Sequence, residues 1–242
     1  ALDRAAAEAA GPAQFRVMVV FTDRAADHTA SLNGFAQSLI EEANRGYAGS
    51  NVNISLKLTS ARRVPYQESN VGGVGTSASF GRDLDRIMGT NDGFMDHIHR
   101  IRNEEKADVV VLVRRDGDIC GKASGIGSTA ATAFVTMARG CGPGYYSFHH
   151  EIGHLQGARH DPAQDPSNSP KAYAHGIVRP NAPGGGYRTV MAYSCETGPE
   201  CPRTPWISNP NLELNGVRMG TADRHDNHRA MNESRNRIAG YR

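Results

Sequence analysis

Residues 149–161, His-His-Glu-Ile-Gly-His-Leu-Gln-Gly-Ala-Arg-His-Asp, constrain this chain more than any other stretch. His150 and His154 stand four apart, so on an α-helix they project from one face, one turn above the other. Two neutral imidazoles at that spacing can hold one zinc ion, each at about 2.0–2.1 Å. Glu151 falls at the margin of the same face, where its carboxylate can reach a water on the metal without ligating it. Gly157 follows where a helix ends most easily, because glycine accepts a left-handed backbone. The chain is then expected to turn sharply and return His160 as a third ligand. Three protein ligands leave one position open, which a catalytic zinc needs and a structural zinc lacks.

The full His-Glu-x-x-His-x-x-Gly-x-x-His pattern is met at every fixed position, and Thr189-Val190-Met191-Ala192-Tyr193 adds a methionine downstream. Together these resemble the zinc helix and methionine turn of the metzincin endopeptidases. Asp161, directly after the third histidine, is similar to the reprolysin branch, where that residue is structural and bonds nearby backbone. Further matches are Cys120-Gly121, Gly140-Cys141, Tyr146-Ser147-Phe148, Met191-Ala192-Tyr193-Ser194-Cys195 and Trp206-Ile207-Ser208-Asn209-Pro210. They resemble the reprolysin-like peptidyl-Asp metallopeptidases. That resemblance implies cleavage before acidic residues, with a cation waiting in the specificity pocket. Lys122, Arg179, Arg188 and Arg203 are the candidates, and the sequence does not choose among them. The region 118–127 would supply an edge strand for an extended substrate. Met191 would form the apolar floor beneath the imidazoles, and Tyr193 falls where other metzincins carry a tyrosine near the metal.

The chemistry these residues predict is peptide-bond hydrolysis with one catalytic zinc on His150, His154 and His160. Glu151 acts as general base and Tyr193 stands ready to donate to the oxyanion. Calcium binding finds no support in the sequence. His149 lies about 100° around the helix from His150 and is not read as a ligand. His97 and His99 stand two apart and point in different directions, and His175 stays unassigned. His225 and His228, beside Asp223 and Asp226, are read as helix-start polarity and not as a second cation site. Competing readings are a catalytically silent fold kept as a binding module and a narrowly specific toxin-like protease. Loss of Glu151, a histidine or the open cleft would mark the first, and the residues are present.

Four cysteines allow three pairings and none has Cys-x-x-Cys spacing, so an even count favours two disulfides and an oxidising compartment. The expected pairs are Cys195–Cys201, closing a short loop, and Cys120–Cys141, joining two segments above the cleft. A formal charge of +2 is too small to imply a nucleic-acid partner, and no apolar run approaches the ~20 residues of a membrane span. The chain opens on Ala-Leu-Asp-Arg, which reads as a trimmed, secreted or periplasmic product whose leader has been removed. Expected partners are polypeptide substrates, with an inhibitory pro-segment or protein inhibitor as a further partner, and the enzyme is expected to act as a monomer.

Along the chain, residues 1–14 read as a tail. Strands are expected at 15–21, 52–58, 62–66, 108–114 and 133–137, and helices near 32–46, over 81–105 with a break at 89–93, and at 227–239. Nine prolines between Pro162 and Pro210 make the segment after Gly157 mostly loop. The fold class is α/β: a twisted, mostly parallel five-stranded sheet with helices over a cleft, and an irregular C-terminal lobe closed by a helix. The expected division is an upper lobe at 15–156 and a lower lobe at 157–242, forming one catalytic domain.

Overall fold

Asp108-Val109-Val110-Val111-Leu112-Val113 has no polar face, so it can be satisfied only as a strand covered on both sides. In the computed structural model, which describes residues 11–115, 117–195 and 200–242, this strand is central. The sheet is built from β1 (Ala13–Phe21), β2 (Ile54–Arg63), β3 (Val109–Arg114), β4 (Gly121–Ala123) and β5 (Phe134–Ala138), in the order β2-β1-β3-β5-β4. The first four strands in that order run parallel, and β4 pairs antiparallel to β5 at the edge.

Alternate residues of β3 feed two separate cores. Val109, Val111 and Val113 pack with Leu39 and Tyr47 of α2 (Leu32–Gly49), with Phe148, Ile152 and Leu155 of α5 (Ser147–Leu155), and with Met231 and Ile238 of α6 (Asn227–Ala239). Val110 and Leu112 pack on the other face with Leu84 and Ile87 of α3 (Ser77–Met88) and Ile98 of α4 (His97–Glu104). A short helix α1 (Asp23–Asp27) follows β1 and is capped by Thr22, whose hydroxyl accepts from Ala25 N at 3.1 Å. Thr76 caps α3 in the same way, which starts that helix four residues before the periodicity suggests.

After α5 come two hairpins, β6 (Val178–Arg179) with β7 (Tyr187–Arg188) and β8 (Asn209–Leu214) with β9 (Val217–Met219). The other described residues between 157 and 226 are largely irregular, as the prolines require. Among the described residues no helix is long and apolar enough to cross a membrane.

Two expectations need correcting. Residues 62–66 are not a separate strand: β2 runs unbroken to Arg63, and the fifth strand of the sheet is β4. The cause is a bulge, since Val17 pairs with Leu58 but Met18 pairs with Ser60. The extra residue shifts the alternation, so Leu58 and Ala61 share a face at a spacing of three, and the run reads as two strands. The tail is shorter than residues 1–14, because β1 already begins at Ala13, whose N–H donates to Asn53 O at 3.1 Å. Residues 1–10 of that tail lie outside the described residues.

Candidate active site

Helix α5 is buried on every side, so its histidines are held by packing as well as by backbone. His150 Nδ1 lies 2.9 Å from Val190 O, and His154 Nδ1 lies 2.9 Å from Ala158 O. A carbonyl only accepts, so Nδ1 carries the proton in each ring, and the Nε2 lone pair is bare. The chain leaves the helix through Gly157, whose φ of +94° is left-handed, and brings His160 back. The three Nε2 atoms then stand 2.9–3.2 Å from one another. Among the described residues this is the only group of three or more ligating side chains so gathered.

The donor set fits zinc. Unprotonated nitrogens aimed at a common point repel unless a cation lies between them. A tetrahedral ion with bonds of about 2.0–2.1 Å sets its ligands about 3.3 Å apart. Burial depresses the proton affinity of all three rings: His150 falls well below 6.5, helped by the neighbouring His154 charge. His154 falls to about 3 and His160 to about 4. All three are therefore neutral and ready to ligate at neutral pH.

The methionine turn meets this site from below. Met191 is wholly buried in the same core as α5. Asp161 Oδ2 accepts from Tyr193 N at 2.9 Å, tying the residue after the third histidine to the residue beyond the turn. The Tyr193 ring lies 4.3 Å from that of His160 and is 42% exposed. Above, a cleft of about 1010 Å³ is lined by the three histidines, Glu151, Tyr193, the free edge of β4, Ser147, Arg188 and Arg203.

Glu151 is only 6% exposed and lies against Gly121 of β4, so closely that a Cβ there would meet its Oε1 at 2.6 Å. Burial pushes the carboxyl up to about 8. Arg203, a hydrogen bond from the Ala123 main chain and Lys122 pull the other way. A divalent cation beside it would draw it down further, towards the ionised form that accepts a proton.

Both disulfides border the cleft. Cys120–Cys141 ties the lead-in of β4 to the turn after β5, and Cys195–Cys201 closes the loop after the methionine turn. Among the described residues no cysteine is free.

Of the four candidate cations, Lys122, Arg188 and Arg203 line the cleft. Arg179 does not: it donates to Arg218 O and borders a separate, smaller cavity with Asp161 and His225. His149 packs edge-on against Tyr47, with ring centroids 4.5 Å apart, away from the metal position. His175 is buried, with Nδ1 2.8 Å from His160 O and Nε2 3.1 Å from Ser167 O, so it braces the third ligand's backbone. His225 pairs with the Thr221 hydroxyl, and His228 lies 3.4 Å from Asp226. The carbonyls of Val190 and Ala158, which orient two ligands, leave no side-chain signal for a sequence reading to find.

Residues 11–206 match the family Reprolysin_5, described as metallo-peptidase family M12. A protein of Xanthomonas campestris pv. campestris named peptidyl-Asp metalloendopeptidase is 46% identical over 239 residues, covering 98% of this chain and 54% of that protein. A peptidyl-Asp metalloendopeptidase of Pseudomonas fragi is 37% identical over 201 residues, covering 83% of this chain and 100% of the relative. The chain thus spans about half the length of its Xanthomonas relative. A solved structure described as a chaperone-substrate complex superposes with a TM-score of 0.68 at 18% identity, over 95% of this chain and 35% of that one. At that identity it shares the fold alone.

Proposed function

The chain belongs to metallo-peptidase family M12, and from that premise we propose that it is a zinc-dependent endopeptidase that cuts polypeptides before acidic residues. The observation that carries this reading is the convergence of three bare imidazole nitrogens beside Glu151 on the floor of an open cleft. His150, His154 and His160 would hold the ion. A bound zinc supplies Lewis acidity, making a ligated water acidic and polarising the carbonyl it meets.

The substrate lies extended along the free edge of β4, its main chain hydrogen-bonded to the strand. Glu151 takes the proton from the attacking water and passes it to the departing amine. The Tyr193 phenol donates to the carbonyl oxygen as negative charge develops on it. Asp161 keeps the methionine turn in register with the third ligand, and Met191 packs beneath. We read residues 15–156 as the upper wall of the cleft and 157–242 as the lower one. The acidic preference is supported by the names of two relatives and by the cations that line the cleft. Two disulfides support an extracellular or periplasmic setting.

Glu151→Gln tests the reading directly. It should bind one zinc per chain while peptide cleavage falls by about 100-fold or more, measured with zinc content on the same sample. Full activity in a zinc-loaded Glu151→Gln protein would remove Glu151 as the base.

A further inference from the structure

Arg188 and Arg203 are brought together by main-chain pairing. Arg188 N donates to Pro202 O at 3.1 Å, and Thr204 N donates to Arg188 O at 2.9 Å. The two cations therefore leave neighbouring segments of one cleft wall, beside Tyr193, Ser194 and Cys195. Among the described residues, neither guanidinium has a carboxylate oxygen within 4.0 Å. Four other partly or fully buried arginines do: Arg16 pairs with Asp108, Arg62 with Glu105, Arg114 with Asp83 and Arg159 with Asp165, whereas the wholly buried Arg102 donates to the carbonyls of Ala107 and Asp108. Two like charges set side by side in a half-buried wall are unfavourable unless an anion joins them.

The two arginines are not equivalent. Arg188 is held by the main chain, with Nε donating to Cys201 O at 3.1 Å and Nη1 to Ala192 O at 2.9 Å. Arg203 makes one such bond, from Nη1 to Tyr145 O at 3.2 Å, and its buried Nε has no partner. Arg203 lines the same cleft as His150, Glu151, His154, His160 and Tyr193. Lys122, the remaining cation of the cleft, stands on β4 with Nζ 3.4 Å from Ser77 Oγ.

We infer that Arg203, with Arg188 fixed beside it, receives the side-chain carboxylate of the substrate residue that follows the cut bond. This inference rests on the peptidase reading above. A guanidinium presents its donors in a planar fork that matches a carboxylate and discriminates against the neutral amide of the same shape. A carboxylate docked there would meet two guanidiniums, so acidic preference follows from the wall and not from the zinc.

The test uses zinc-loaded protein and three peptides differing only after the cut bond, with Asp, Asn or Lys. Wild type should favour Asp over Asn in kcat/KM by about 10- to 100-fold, the range of a charged hydrogen bond. Arg203→Gln should collapse that ratio towards one through loss on the Asp peptide, and Arg203→Lys, which keeps charge without the fork, should retain part of it. Arg179→Gln, outside the cleft, should keep the wild-type ratio. Zinc content and thermal melting report folding. If Arg203→Gln does not fold, Arg203→Lys decides alone, and an unchanged ratio there overturns the assignment. So does a folded Arg203→Gln with the wild-type ratio, or a collapse seen only in Lys122→Gln. Wild type that cuts the Asp and Asn peptides equally removes the preference and the inference while leaving the peptidase intact. Wild type that cuts none of the three, nor a denatured protein mixture, removes the peptidase reading itself.

Discussion

At the scale of single residues, each zinc-facing nitrogen is set by what the rest of its ring does. Val190 O and Ala158 O fix the Nδ1 protons of His150 and His154, and burial keeps the rings neutral. The sign of the pH effect follows. An exposed histidine near 6.5 would let protons compete with zinc below neutrality. Here the folded values of His154 and His160, about 3 and about 4, lie far lower. Protons should therefore compete at these rings only as pH approaches 4. The Glu151 carboxyl, raised to about 8, would instead release its proton to solvent as the ion binds beside it. Zinc titrations of the metal-free protein should show at most about a tenfold loss of affinity per pH unit between 7.5 and 5, as one released proton gives. A slope of two or three protons would mean that the histidines are charged in the empty site. Tyr193, with its ring 4.3 Å from His160, carries a separate prediction. Tyr193→Phe should lower kcat by about 10- to 100-fold with zinc content intact if its hydroxyl meets the oxyanion. A wild-type rate would leave it a packing residue.

At the scale of elements, the exit from α5 governs the third ligand. Gly157 at φ +94° lets the chain reverse within three residues of His154, and Gly157 N donates to His154 O at 2.9 Å as it does so. A side chain at that φ strains the backbone by about 1–2 kcal/mol. Gly157→Ala should therefore lower stability by that amount and weaken zinc binding by about tenfold, as His160 is displaced from the other two. Competition with a chelator of known affinity checks the second effect. Equal affinity in the variant would show that the turn tolerates a β-carbon. β4 and α5 are coupled more tightly still, because Glu151 fills the space where a Gly121 side chain would stand.

At the scale of the whole molecule, the metal position joins parts of the chain that otherwise meet through packing: helix α5 and the irregular segment after it. An ion held at about a thousand times its dissociation constant adds roughly 4 kcal/mol to stability. For a chain of this size that is about 8–16 °C in Tm, so chelation should lower the melting temperature by that much, and readdition of zinc should restore it. A melting point indifferent to chelator would mean that the three imidazoles hold no ion in solution. What was legible beforehand is what short spacings encode: His150, Glu151 and His154 on one helix, the turn at Gly157, the unbroken apolar run of β3, and α6 with Met231 and Ile238 inward. These depend on contacts a few residues apart or on a face with no polar alternative, so the residue types alone declare them. The bulge that merges 52–58 with 62–66 and the antiparallel place of β4 depend on partners far along the chain. So does the selection of Arg203 over Arg179, because spatial proximity between residues separated by fifty positions leaves no periodic trace. The sequence by itself determined the ligands and the helix that presents them. The tertiary structure alone decided which charges face the cleft, because that follows from how the loops after Gly157 close on the sheet.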